Sequence, residues 1–338
     1  MAIYPAVNYS SMMSSSAATP ASAATTTPSQ PSSAQTRNAL PFSGYKPDCS
    51  YSRSGFSESL MATSWLKRII LQMATLLCVV SLPANAIMMR HDTGYTRYLA
   101  SESEYPAIFP LLENERSKTC VATLVAARWA ITAAHCIEQV GIDVLDDRLS
   151  HPVQINKQSH TVTRVLFHPQ WPGQARPLNS AGEVDLALLY LDRSVAKVAP
   201  IPLYQGDAEQ GREMSFVGWG YAGFGSSGQR FNDGRLRRAA NRVDVAAARL
   251  HFYFDDPAGP ASTALPLEGI PGLGDSGGPA LVLEQGEWQL AGIAVGEIDQ
   301  GQRWGRYGAR VVYERIGQHI DWVRQIIRQP ISSVSTLK

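Results

Sequence analysis

From residue 105 to residue 316 the apolar positions fall in short runs broken by glycine-rich and polar turns. CVATLVA (120–126) and RWAITA (128–133) read as a hairpin of β-rich segments. SHTVTRVLF (159–167) alternates polar with apolar, and DLALLYL (185–191) is apolar throughout, as in a strand buried on both faces. MSFVGWG (214–220), PALVL (279–283), WQLAGIAV (288–295) and RVVYERI (310–316) continue the pattern. Many short strands with turn signals between them predict an all-β barrel or sandwich. The end changes period. In RIGQHIDWVRQIIRQ (315–329), Ile316, Ile320, Val323 and Ile327 share one helical face, which predicts a helix packed on the body and stopping near Pro330.

The first 86 residues read differently. Residues 1–60 hold 20 Ser or Thr and only five charged residues, a composition that cannot bury enough apolar surface to offset its ordering entropy, so this segment is expected to be a disordered leader, or not to be translated. From Met61, a basic pair (Lys67, Arg68) precedes an apolar run from Ile69 to Leu82, then Pro83 and Ala84-Asn85-Ala86. That order predicts a signal peptide over 61–86, cleaved after Ala86, since the run is short of the roughly 20 residues a membrane span needs. The new terminus would be Ile87.

Such cleavage removes five basic and two acidic residues and leaves 25 against 27, so the formal charge moves from +1 to −2. Near-neutral charge gives no electrostatic case for a nucleic-acid partner or for binding an anionic membrane. Of four cysteines, Cys120 and Cys136 remain, and an exported chain with two cysteines predicts one disulfide.

Three short motifs carry candidate chemistry: TAAHC (132–136), DLALL (185–189) and GDSGGP (274–279). GDSGG also fits the G-x-S-x-G elbow of α/β-hydrolases, but those enzymes need Ser, acid and His in that order. Here the order is His135, Asp185, Ser276, and the one histidine after Ser276 is His319, on the terminal helix. No H-E-x-x-H motif is present, and no metal or cofactor is expected.

Together the motifs resemble the chymotrypsin/trypsin family of serine peptidases, in its secreted bacterial form. YPAIFPLL (105–112) is similar to that family's first strand, GWG (218–220) to the entry of its second barrel, and YERIGQHIDWV (313–323) to its closing strand and helix. The resemblance implies two antiparallel six-stranded β-barrels, over 87–205 and 206–338, with a C-terminal α-helix. It implies an endopeptidase in which Ser276 attacks, His135 is the base and Asp185 orients the base. Gly274 and Ser276 would supply the backbone N–H groups of the oxyanion hole. It also implies polypeptide substrates, a secreted or periplasmic monomer, and no stable membrane insertion after signal cleavage. A non-catalytic binding protein on the same fold is the alternative.

In that family the mature terminus, often Ile, inserts its ammonium against the Asp before the nucleophile, which here makes Ile87 and Asp275 the activation pair. Met88-Met89-Arg90-His91 departs from the small residues usual after that start. Ile270 stands where the family places the base of its specificity pocket, Gly272 where a bracing cysteine is common. LAGIAVGE (290–297) would supply the wall, with Val295 and Glu297 in it. An uncharged P1 residue is therefore expected, unless Glu268 or Glu297 turns into the pocket.

Overall fold

The computed structural model describes residues 87–114, 117–144, 149–173, 182–298, 301 and 303–329. The expected leader and signal peptide lie outside the described residues.

The described chain opens with β1 (Ile87–Met89) and two short 3-10 turns. Next come β2 (Ile108–Glu113), β3 (Lys118–Ala126), β4 (Trp129–Thr132), the short helix α1 (His135–Gln139), β5 (His151–Ile155), β6 (Gln158–Phe167) and β7 (Ala187–Leu191). The second half holds β8 (Glu213–Gly218), β9 (Ala222–Phe224), β10 (Arg230–Phe231), β11 (Arg237–Arg242), β12 (Val245–Ala246) and β13 (Arg249–Tyr253). It continues with β14 (Gly269–Ile270), β15 (Pro279–Glu284), β16 (Glu287–Ile298), β17 (Arg310–Arg315) and the closing helix α2 (Ile316–Arg328).

These strands form two barrel-like sheets. The first has six strands in the order β2-β3-β4-β7-β6-β5; the second has seven, β11-β8-β15-β16-β17-β13-β12. A smaller sheet, β10-β9-β1-β14, seats the Ile87 segment between a parallel and an antiparallel partner. Bulges at Leu124/Ala126, Val162/Arg164, Ala280/Leu281 and Ala294/Gly296 bend the ladders, as strongly curved sheets require.

The alternation in β6 and the near-complete burial of β7, in which only Tyr190 is half-buried, follow from which faces are covered. One core fills the first sheet and includes Ile316, Val323 and Ile326 of α2; a second fills the other sheet and takes in Ile87, Met88 and Met89. Helix α2 thus packs on the body, with Ile326 fully inside and Ile320 and Ile327 at the margin. Among the described residues no helix is long and apolar enough to cross a membrane.

Candidate active site

Strand β4 is buried along its length and delivers His135 at the start of α1. Its Nδ1 lies 2.6 Å from Asp185 Oδ2, and its backbone N–H donates to Asp185 Oδ1 at 2.9 Å. Both carboxylate oxygens are therefore committed to one residue, one to its imidazole and one to its backbone, which fixes the carboxylate relative to the ring. Asp185 sits just before β7, and its own N–H donates to Glu314 Oε1 at 2.9 Å. The Cys120–Cys136 disulfide is formed, with Cα atoms 5.8 Å apart, and ties β3 to the turn carrying His135. Closing a loop of that length contributes about 3 kcal/mol on the chain-entropy account.

The GDSGGP turn is held from both sheets. Cys120 and Val121 of β3 donate to the carbonyls of Gly274 (2.9 Å) and Ser276 (2.8 Å). From the other side, Gly277 donates to Ala294 of β16 and Ala294 donates back to Gly278, each at 2.8 Å. Gly277 has φ +77°, and a Cβ there would lie 2.2 Å from Thr132 Oγ1 and 2.3 Å from the Val121 carbonyl oxygen. Only glycine permits that approach, and it brings the Ser276 turn against the residues just before His135. Among the described residues, no backbone acceptor takes the N–H of Gly274 or Ser276.

Behind the turn, Asp275 is buried and accepts N–H bonds from Gly220 (2.6 Å), Gly272 (2.8 Å) and the backbone of Ile87. Burial pushes its carboxyl up to about 6, against those three donors, which favour the charged form. Its Oδ1 would be 2.1 Å from a Cβ on Gly218, so this glycine too is required by close approach. The structure thus brings Ile87 and Asp275 together.

Ser276 opens onto a cavity of about 570 Å³ lined by Thr119, Gln139, Tyr221, the 271–274 segment and 294–297. The bulge in β16 sets Val295 out of the ladder and into this wall. Ile270 lies elsewhere: it is fully buried and pairs with Met88, next in sequence to the lining residue Pro271. Glu297 does line the cavity, but Arg230 of β10 pairs with its Oε2 and the Gly305 N–H binds its Oε1, both at 2.5 Å. Glu268 is buried away from the cavity, bonded by the N–H groups of Leu265 and Asp255, and desolvation pushes its carboxyl up to about 8.

A family model described as Trypsin matches residues 100–323. The chain belongs to the trypsin family. Its paired barrel-like sheets are that family's chymotrypsin-like arrangement. Vitamin K-dependent protein C of Mus musculus is 25% identical over 261 residues, which cover 71% of this chain and 53% of the relative. Kallikrein-12 of Homo sapiens is 30% identical over 226 residues, covering 63% of this chain and 82% of its own. The chain spans about half the length of the protein C relatives it matches. Among solved structures, neuropsin, a serine protease expressed in the limbic system of mouse brain, is 21% identical with a TM-score of 0.49, over 68% of this chain and 98% of that one. These relatives are animal proteins and give no argument for a bacterial type.

Within this trypsin-family site, sequence reading alone missed Arg230, Glu314 and Arg249, whose partners are 65 to 129 residues away along the chain. It also missed Leu273 and Tyr221 at the cavity rim, although both adjoin quoted motifs.

Proposed function

We propose that the chain is a secreted serine endopeptidase acting through His135, Asp185 and Ser276. The observation that carries this reading is the doubly bonded His135–Asp185 pair on one sheet, with the Ser276 turn fastened to that same sheet by β3. A serine hydroxyl is a poor nucleophile at neutral pH and needs a base that is itself oriented. With Nδ1–H bonded to Asp185, Nε2 is the nitrogen left to take the Ser276 proton.

Ser276 Oγ then attacks the scissile carbonyl, and the oxyanion accepts from the N–H groups of Gly274 and Ser276. As the tetrahedral species collapses, His135 passes its proton to the leaving amine and the acyl-serine remains. Water, deprotonated by His135, attacks the ester; collapse releases the acid and returns the proton to Ser276. Asp185 stabilises the imidazolium in both halves.

Signal-peptide removal after Ala86 would convert the Ile87 amide, already bonded to Asp275, into an ammonium paired with it. On this account no separate propeptide step is needed, and the 87–205 and 206–338 segments work as the two barrels. The P1 side chain would enter the cavity beside Val295. Glu297 there is neutralised by Arg230 and Glu268 is elsewhere, so no uncompensated carboxylate awaits a basic side chain. An uncharged P1 residue is the expectation. A panel of peptides varied at P1 tests this, with a Ser276→Ala control: cleavage after Leu, Phe or Ala supports it, and robust cleavage after Arg alone overturns it.

A further inference from the structure

Arg249 and Glu314 stand opposite each other in the β13–β17 ladder, and three hydrogen bonds converge on one oxygen of Glu314. Glu314 Oε1 accepts from Arg249 Nε at 2.9 Å and Nη2 at 2.6 Å, and from the Asp185 backbone N–H at 2.9 Å. Arg249 Nη2 also donates to the Glu183 carbonyl at 2.9 Å. One pair on the second sheet therefore grips two residues of the segment that carries Asp185. That segment, 183–186, lies outside any strand; among the described residues its further backbone bonds outside the strand ladders are Val184 to Gln170 and His168 to Leu186.

Glu314 is 1% exposed. Taking such a pair out of water forfeits hydration that the pair's own attraction seldom fully returns, so a buried ion pair is weak evidence for stability alone. Its placement on the Asp185 backbone gives it another use.

We propose that Glu314 and Arg249 are positioning residues for the peptidase reaction: they fix the Asp185 backbone from the second sheet and hold a compensated carboxylate next to the His135–Asp185 pair. This rests on the function proposed above. The negative charge of Glu314 favours the imidazolium that forms at His135, while Arg249 keeps that charge balanced and in place. Removing Glu314 alone leaves an uncompensated cation behind Asp185, which disfavours the same imidazolium.

The groups facing Glu314 are few. Asp185 comes from the segment before β7 and Arg249 from β13, while His319 of α2 has Nε2 3.9 Å from Glu314 Oε2. His168 and His251 share with it a cavity of about 640 Å³. Burial pushes His168 and His319 down to about 4, so these two stay neutral at neutral pH, and burial also lowers His251. Burial, with Asp185 adding to it, raises Glu314 itself, against Arg249 and the Asp185 N–H.

Steady-state kinetics across pH on Glu314→Gln and on the double variant Arg249→Gln/Glu314→Gln test the proposal. Gln keeps an acceptor for the Asp185 N–H. In the single variant kcat should fall at least about tenfold with KM within about twofold, since the loss is one of orientation and charge at the reacting groups. The acidic limb of its pH–rate profile should move to lower pH. In the double variant the limb should return towards its original position with kcat still reduced. A folded single variant with unchanged kcat and an unmoved limb overturns the proposal, as does a loss of thermal stability alone. If the single variant does not fold, unchanged kcat in the double variant overturns it equally. An unmutated protein with no peptidase activity and no labelling of Ser276 would instead remove the function itself.

Discussion

The Ser276 turn and the cavity beside it are neighbours held by different means. The turn is fastened by backbone hydrogen bonds from β3 and β16, with glycines wherever two chains touch. The cavity wall has backbone pairing of its own in the β16–β17 ladder, but the charge inside it is set by a side-chain ion pair, Glu297 to Arg230, joining residues 67 positions apart. Backbone bonds at close approach dictate residue type, so the Ser276 turn leaves a motif in the sequence. An ion pair between strands far apart in sequence dictates only that two opposite charges meet, and leaves none. The reaction is therefore expected to be rigid in its requirements and the specificity easy to retune.

The sharpest way to break that contrast is to remove the catalytic groups. Ser276→Ala should lower kcat by about 10⁶ and Asp185→Asn by about 10⁴, with the fold intact by circular dichroism. A residual rate near that of the unmutated chain would leave the turn without a catalytic role. Next in size is the terminus. An Ala stably retained before Ile87 should cost about 10²–10³ in rate, the loss expected when one oxyanion donor is misplaced, without unfolding the protein. Full activity in that variant would separate Ile87 from catalysis.

The cavity should respond more mildly. Arg230→Gln exposes the Glu297 charge, so relative kcat/KM for Lys or Arg at P1 should rise by about tenfold, the scale of one altered pocket contact. No change in that ratio would show that Glu297 does not read P1. The effect with the least bearing on the reaction lies outside the site. Glu268 is raised in the folded state to about 8 from the usual carboxylate range, so the folded form binds its proton more tightly than the unfolded form. Its contribution is fully present below about pH 4.5 and is lost as pH rises towards 8, by an amount on the order of a few kcal/mol. Thermal melts between pH 4 and 9 should show Glu268→Gln gaining on the unmutated chain as pH rises; parallel curves would contradict it.

The same division decides what could be read from the sequence. The runs at 120–126, 159–167 and 279–283 lie within strands of the structure because their periodicity reports which faces are covered. Strand β11 was not legible: RRAANR reads as polar, yet Arg237 is wholly buried, its guanidinium bonded by both nitrogens to Asp233 at 3.0 Å. Periodicity scores a buried arginine as exposed because it weighs residue type and not pairing, even with Asp233 only four residues upstream. On α2 the sequence pattern favours Ile327, whereas the structure buries Ile326 more deeply, because the packed stripe is wide enough to admit either. His135, Asp185, Gly274 and Ser276 were all assigned from motifs. Ile270 was placed by analogy of spacing, and the structure sets it against Met88 instead of among the residues lining the cavity. Pairing with β1 fixes Ile270, while the nucleophile turn stays where its own backbone bonds require.

The intact mass of the exported protein after reaction with a fluorophosphonate probe tests the central claim most directly. The account predicts a species beginning at Ile87 that carries one adduct, absent from Ser276→Ala. An unlabelled species with that same terminus would contradict it, leaving a trypsin-family chain that does not use Ser276 as a nucleophile.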